Sequence, residues 1–132
     1  VRDRVDHNSK LEGRENSRLP YFTAQEVEEM KGSFDFFGLN HYYSYVVRSG
    51  IPEPNPSINR DAGVTILDYK LYPEGIRRLL NFIRTKYDNP PVFIAENGCA
   101  DSSEFYDTSR IEYFHNYLEQ VLLAIHEDGC NV

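Results

Sequence analysis

Tryptophan is absent from this chain, methionine occurs once and cysteine twice. Cys99 and Cys130 form neither a disulfide framework nor a metal-binding pattern, and Cys99 reads as a bystander thiol rather than a nucleophile. Long apolar runs are missing too: nothing approaches the roughly 20 residues that a membrane helix needs. An excess of basic residues is lacking, with 14 Lys and Arg against 21 Asp and Glu and a formal net charge of −7. That balance argues against a phosphate-binding surface and hence against nucleic acid as a partner. The amino end, Val1-Arg2-Asp3-Arg4-Val5-Asp6, lacks the apolar core of a signal peptide. The compartment stays open, a secreted or lysosomal one included.

What is present describes a folded protein. Of the 132 residues 40% are hydrophobic and 27% charged, a balance that fits a globular chain rather than a disordered one. One domain is the natural count at this length. Ten Tyr and eight Phe suit a packed core and a sugar-facing site equally.

The first 19 residues read as the tail of a helix running into a loop around Asn8 to Ser17. Thr23-Ala24-Gln25-Glu26 has the form of a capping box, so a short helix is expected to about Lys31, with Gly32 as its left-handed stop. Phe34 to Ser44 reads as an aromatic-rich strand. Its alternation puts Asn40 and Tyr42 on one face and His41 and Tyr43 on the other. Residues 48–70 read as a long connection, in which Pro52, Pro54, Pro56 and Gly63 exclude a continuous helix; such loops often wall a site. Ile76, Leu79, Leu80 and Ile83 then mark a helix, with Pro73 at its first position and an end near Tyr87. Arg77, Arg78, Arg84 and Lys86 fall on its solvated side.

Pro90-Pro91-Val92-Phe93-Ile94-Ala95-Glu96-Asn97-Gly98 is the stretch on which the reading turns. Val92, Phe93 and Ile94 show no polar alternation, as in a strand buried on both faces. Glu96 then stands at the carboxyl end of that strand, where ligands and catalytic groups gather in α/β folds. Taken alone, Asn97-Gly98 is equally an ordinary turn. A polar loop, residues 101–107, leads to a helix from about Arg110 to Asp128. Ser109 and Glu112 would cap it, Gly129 would stop it, and Ile111, Phe114, Leu118, Val121, Leu122 and Ile125 would form its buried stripe. Glu112 and His115 have the spacing of a di-metal ligand pair, but no second copy accompanies them. Strands alternating with helices imply βα units and a parallel sheet. Two such strands cannot close a barrel, and Asn131-Val132 reads as the approach to another.

Phe34-Asp35-Phe36-Phe37-Gly38-Leu39-Asn40-His41-Tyr42 and Val92-Phe93-Ile94-Ala95-Glu96-Asn97-Gly98 resemble the sixth and seventh strands of family 1 glycoside hydrolases, the β-glucosidases with lactase and myrosinase among their relatives. Ser17 to Pro20, Tyr72 to Leu80 and Asp107 to Ile111 are similar to the family's connecting segments. The style is closest to animal, even insect, members. The resemblance implies an α/β chain forming part of a (β/α)8 TIM barrel, about strands 6 and 7 with their helices. Residues 1–132 would then be a partial domain, truncated before the last strand and lacking the amino-terminal half. It implies hydrolysis of β-linked sugars with retention, Glu96 acting as the nucleophile. Tyr42 would orient that carboxylate and keep it charged, and Asn40 would bind the sugar. No metal or organic cofactor is implied.

The departures are as informative. The family's acid/base Glu lies in an Asn-Glu-Pro segment that this chain lacks. The early sugar-binding strands and the tryptophan-bearing eighth strand are also missing, the loop before Tyr72 is short, and Ala95 replaces the more common Thr. A whole TIM barrel runs to about 250 residues. The expectation is a piece of a retaining β-glycosidase, inactive in isolation, whose exposed strand edges promote self-association. The alternative is a non-catalytic, barrel-derived protein used for binding or interaction.

Overall fold

A computed structural model describes residues 1–50, 56–68, 71–100 and 105–132. In chain order the elements are α1 (Arg2–Leu11), α2 (Ala24–Met30), β1 (Phe37–His41), β2 (Val46–Ser49), α3 (Ile58–Ala62), β3 (Val64–Asp68), α4 (Glu74–Lys86), β4 (Val92–Asn97) and α5 (Thr108–His126). They form two compact units rather than one: residues 1–33 with 46–68, and residues 34–45 with 69–132.

The first unit is held chiefly by polar groups. Only Val5, Asn8 and Ser9 of α1 are buried, and Asn8 lies inside the helix rather than in the expected loop. The Arg18 guanidinium donates to Asp61 at 2.8 and 2.9 Å and to Glu12 at 2.9 and 3.2 Å. Asn8 adds a 3.0 Å bond to Asp61. The expected capping box at α2 is present, with Thr23 and Glu26 each closing on the other's backbone amide. The described residues of the expected long connection, 48–70, hold regular structure: β2 and β3 pair antiparallel, with the short α3 between them. Ser57 starts α3 by accepting from the Arg60 amide, and Gly63 stops it at φ 66°. The left-handed φ strains any side chain at Gly63, and a Cβ there would also displace the Arg4 guanidinium, 1.1 Å away. Pro52 and Pro54 lie outside the described residues.

The second unit is a βαβα arrangement around an apolar core. β1 and β4 pair in parallel, as the alternation of strands and helices implies. The first strand is shorter than Phe34–Ser44 because its ladder begins at Phe37 and ends at His41. Ile76, Leu80 and Ile83, one face of α4, pack with Leu39, Val92, Tyr113, Tyr117, Ala124 and Cys130. On the outer side Arg77 is not merely solvated: it clasps Asp128 at 2.6 and 2.7 Å. Asn81 also donates to Asp128.

Three expectations fail here. Phe93 is 64% exposed, so β4 is covered on one face only. The amino-terminal cap of α5 is Asp107, whose carboxylate accepts from the Arg110 amide, rather than Ser109 with Glu112. Its buried line is Tyr113, Tyr117 and Ala124; of the expected stripe Phe114 and Val121 pack against the core in part, whereas Ile111, Leu118 and Leu122 are exposed. At 100° per residue the observed line lies roughly a third of a turn from the expected stripe. Tyr113 and Tyr117 win because their stacked rings, 4.2 Å apart, fill the space against the strands, and the Tyr113 hydroxyl bonds to polar groups at the strand ends.

Candidate active site

The carboxyl ends of β1 and β4 bring the three sequence-predicted residues together. The parallel register runs Leu39↔Ile94 and then Asn40↔Glu96, so the ladder skips Ala95. That irregularity breaks the strict alternation of β4 at the residue before the carboxylate and re-aims the side chains beyond it. Asn40, Tyr42 and Glu96 are all exposed. The Tyr42 hydroxyl donates to Glu96 Oε2, so Tyr42 is not a core aromatic. This hydrogen bond raises the phenol above its ordinary value of 10, because removing the proton would set two anions against each other.

Two residues to which the sequence assigned no role complete the geometry. Asn97 Nδ2 donates to the His41 carbonyl at 2.8 Å and to the Tyr113 hydroxyl at 2.9 Å. The Tyr113 hydroxyl in turn donates to the Tyr42 carbonyl at 2.7 Å. Asn97 therefore belongs to the strand and its hydrogen bonds, not to an ordinary turn. Tyr113 was hidden because it lies off the aliphatic stripe that marked α5. The one available signal was an unassigned Tyr one helical turn from another, Tyr117.

Behind the exposed edge the environment is dry. His41 is buried, and burial holds its imidazole below the usual 6.5, in the neutral form near pH 7. Its Nε2 lies 3.1 Å from Ser44 Oγ. Gly75 backs Ser44 closely; a Cβ there would stand 1.8 Å from the serine oxygen. The Tyr43 hydroxyl accepts from the Ala100 amide at 3.2 Å. Among the described residues no three His, Cys, Asp or Glu side chains converge to hold a metal. Glu112 and His115 are exposed on α5, and Cys99 and Cys130 are unpaired thiols. No described helix is long and apolar enough to cross a membrane.

The structure thus sets a carboxylate at one strand's end beside a tyrosine just past the end of the adjacent parallel strand. The sequence profile described as Glycosyl hydrolase family 1 matches residues 4–132, and the chain belongs to that family. It is 42% identical to Myrosinase 1 of Brevicoryne brassicae over 97% of this chain and 30% of the relative. Beta-glucosidase 40 of Arabidopsis thaliana is 36% identical over 96% of the chain and again 30% of the relative. Among solved structures, aphid myrosinase superposes with a TM-score of 0.85 at 40% identity, covering 99% of this chain and 31% of that one. A rice β-glucosidase mutant in a covalent complex with glucose superposes at 0.71 with 34% identity, covering 97% and 32%. The chain thus spans about 30% of the length of the curated relatives it matches. It is a β-glucosidase-like glycosidase sequence on part of a TIM-barrel fold.

Proposed function

We propose that this chain carries the nucleophile half of a retaining β-glucosidase site, with Glu96 as the nucleophile. The observation that carries this reading is the Tyr42 hydroxyl on the Glu96 carboxylate at the carboxyl ends of paired parallel strands. In retaining hydrolysis the carboxylate attacks the anomeric carbon while an acid about 5–5.5 Å away protonates the leaving oxygen. A covalent glycosyl-enzyme forms, and the second group, now a base, activates the water that releases the sugar. Tyr42 keeps the attacking group aimed, and Asn40, in register with Glu96, binds a sugar hydroxyl. The covalent glucose complex of the rice relative is chemistry of this kind in a similar protein. The segment corresponds to strands 6 and 7 of the barrel, and the acid/base resides outside these residues.

In the complete enzyme, Glu96→Gln lowers kcat on an aryl β-glucoside by at least about 10⁴-fold. A slow fluorinated substrate leaves a glycosyl group on the peptide containing Glu96. Undiminished turnover by that variant, or label on another carboxylate, defeats the assignment. Alone, the 132-residue chain has negligible activity, since general-acid help is worth typically 10²–10⁴-fold and the site is open to water. Alone it also self-associates, through the edges of a two-stranded sheet and the exposed Phe36 and Phe93.

A further inference from the structure

We infer that Asn97 and Tyr113 are positioning residues: together they form a latch that holds the Tyr42 backbone so that its hydroxyl meets Glu96. The catalytic meaning of this latch rests on the reading of Glu96 as the nucleophile.

The strand ladder ends one residue too early to do this. Pairing stops at His41↔Asn97, so Tyr42 is the first residue beyond the support of the sheet. Its ring must nonetheless be placed to hydrogen-bond distance of a carboxylate on the neighbouring strand. Two side chains take over where the ladder stops. Asn97 anchors the His41 carbonyl, and Tyr113 anchors the next one, that of Tyr42. The peptide planes on both sides of the Tyr42 Cα are therefore fixed, which leaves only its side-chain torsions to aim the ring.

The two anchors also hold each other. A primary amide has two N–H donors, and Asn97 spends one on the carbonyl and one on the Tyr113 hydroxyl. The hydroxyl accepts that bond and passes its own proton to the Tyr42 carbonyl. The chain has one direction only, amide to phenol to carbonyl. Tyr113 is in turn immobilised, 1% exposed and stacked on Tyr117. Burial, reinforced by Tyr117, pushes its phenol up to about 12, so the donated proton stays in place throughout the neutral range. A carboxylate at position 97 has no proton for the His41 carbonyl and draws the Tyr113 proton away from the Tyr42 carbonyl, so Asn97→Asp breaks the latch while keeping the shape.

The experiment follows each phenol by carbon NMR in the chain labelled at tyrosine Cζ, titrated from neutral to alkaline pH. Glu96→Gln identifies the Tyr42 signal as the one whose titration falls toward 10. Tyr113→Phe and Asn97→Asp are then each expected to move the Tyr42 titration down, in the direction of the Glu96→Gln variant, since the bond to Glu96 is loosened. Tyr117, raised by burial, reports that the core is intact and stays high. An unchanged Tyr42 titration in both variants, with Tyr117 still high, overturns the latch. If Tyr113→Phe disturbs Tyr117, Asn97→Asp decides; if both do, the pair builds the fold rather than the site and the inference fails.

In the complete enzyme Tyr113→Phe lowers kcat about tenfold with KM within about twofold, the split expected when aim rather than binding is lost. An unchanged kcat per folded molecule, with the folded fraction measured by circular dichroism, or a KM raised as much as kcat falls, would count against the latch. Should hydrolysis survive Glu96→Gln, the nucleophile reading falls while the titrations still judge the latch.

Discussion

The two units solve the same problem by opposite means. Residues 34–45 and 69–132 bury Ile76, Leu80, Tyr113, Tyr117 and Ala124 almost completely, and that core seats the ends of β1 and β4. The described residues of 1–33 and 46–68 bury a single large aliphatic side chain, Val5, and are tied by Arg18, Glu12, Asn8, Asp61 and Arg60. Apolar burial is tolerant of salt and pH, whereas charge-assisted hydrogen bonds are tuned by both. The site belongs to the unit whose order depends less on solution conditions. That is where a carboxylate and a phenol have to be kept in register.

The largest effect that would break this comparison is Leu80→Ala. Leu80 is fully buried, and truncating such a leucine costs about 2–5 kcal/mol. Hydrogen exchange should show lost protection in α4, α5, β1 and β4 while α1 keeps its own. Equal loss in α1 would mean that the two units share one stability.

A smaller effect, of opposite location, is expected from Arg18→Leu. It leaves Glu12 and Asp61 facing each other without the cation that joins them. Exchange in α1 and α3 should accelerate and become less dependent on salt, with the amides of α4 unmoved. A chain indifferent to this substitution would show that the ion-pair cluster decorates the first unit instead of holding it.

Acid sharpens the contrast further, because each unit contains one strongly depressed carboxyl. Asp61 is held at about 2 by Arg18 and then Asn8, and Asp128 at about 2 by Arg77 and then Asn81, against an ordinary 3.8. A folded-state value below the unfolded one stabilises the protein above about pH 4. That stabilisation disappears as pH falls from about 4 to about 2. Asp61→Asn should weaken this dependence in α1, where Asp6 and Glu12 are also lowered, and Asp128→Asn in α4 and α5, each without effect on the other unit, read from amide exchange against pH. The second unit should lose less of its total, because its core is untouched by protonation.

The sequence revealed most where a physical period or a fixed chemical pattern was present. Ile76, Leu80 and Ile83 wrote the buried face of α4, and Thr23 with Glu26 wrote the start of α2. The placement of Asn40, Tyr42 and Glu96 at neighbouring strand ends was legible because strand alternation and the family resemblance point to the same strand ends. The β2–β3 pairing was not legible in the same way. Ser57, Gly63 and the β-branched Val64-Thr65-Ile66 carry its signals, but the prolines before them punctuate the whole stretch and mask them. Asn97 and Tyr113 were out of reach for a different reason. Their role lies in a bond across 16 residues between a strand end and a helix, and no local period encodes that. The rotation of α5 has the same origin: two candidate faces compete, and only contact with the strands selects the aromatic one.

The smallest expected effect tests that rotation. Leu118 is 55% exposed and Leu122 54%, although both belong to the stripe that helical periodicity marks as buried. Leu118→Gln should therefore change the stability of this chain by no more than about 0.5 kcal/mol, as for a surface position. Tyr117→Ala, one residue away, should cost several times that, because it removes a fully buried ring from the stack on Tyr113. Urea denaturation of both variants beside the parent measures the difference directly. A Leu118→Gln cost near that of Leu80→Ala would place the aliphatic stripe in contact after all. A negligible cost leaves Ile111, Leu118 and Leu122 as an apolar line that this chain does not itself cover, and glutamine there should reduce self-association more than it reduces stability.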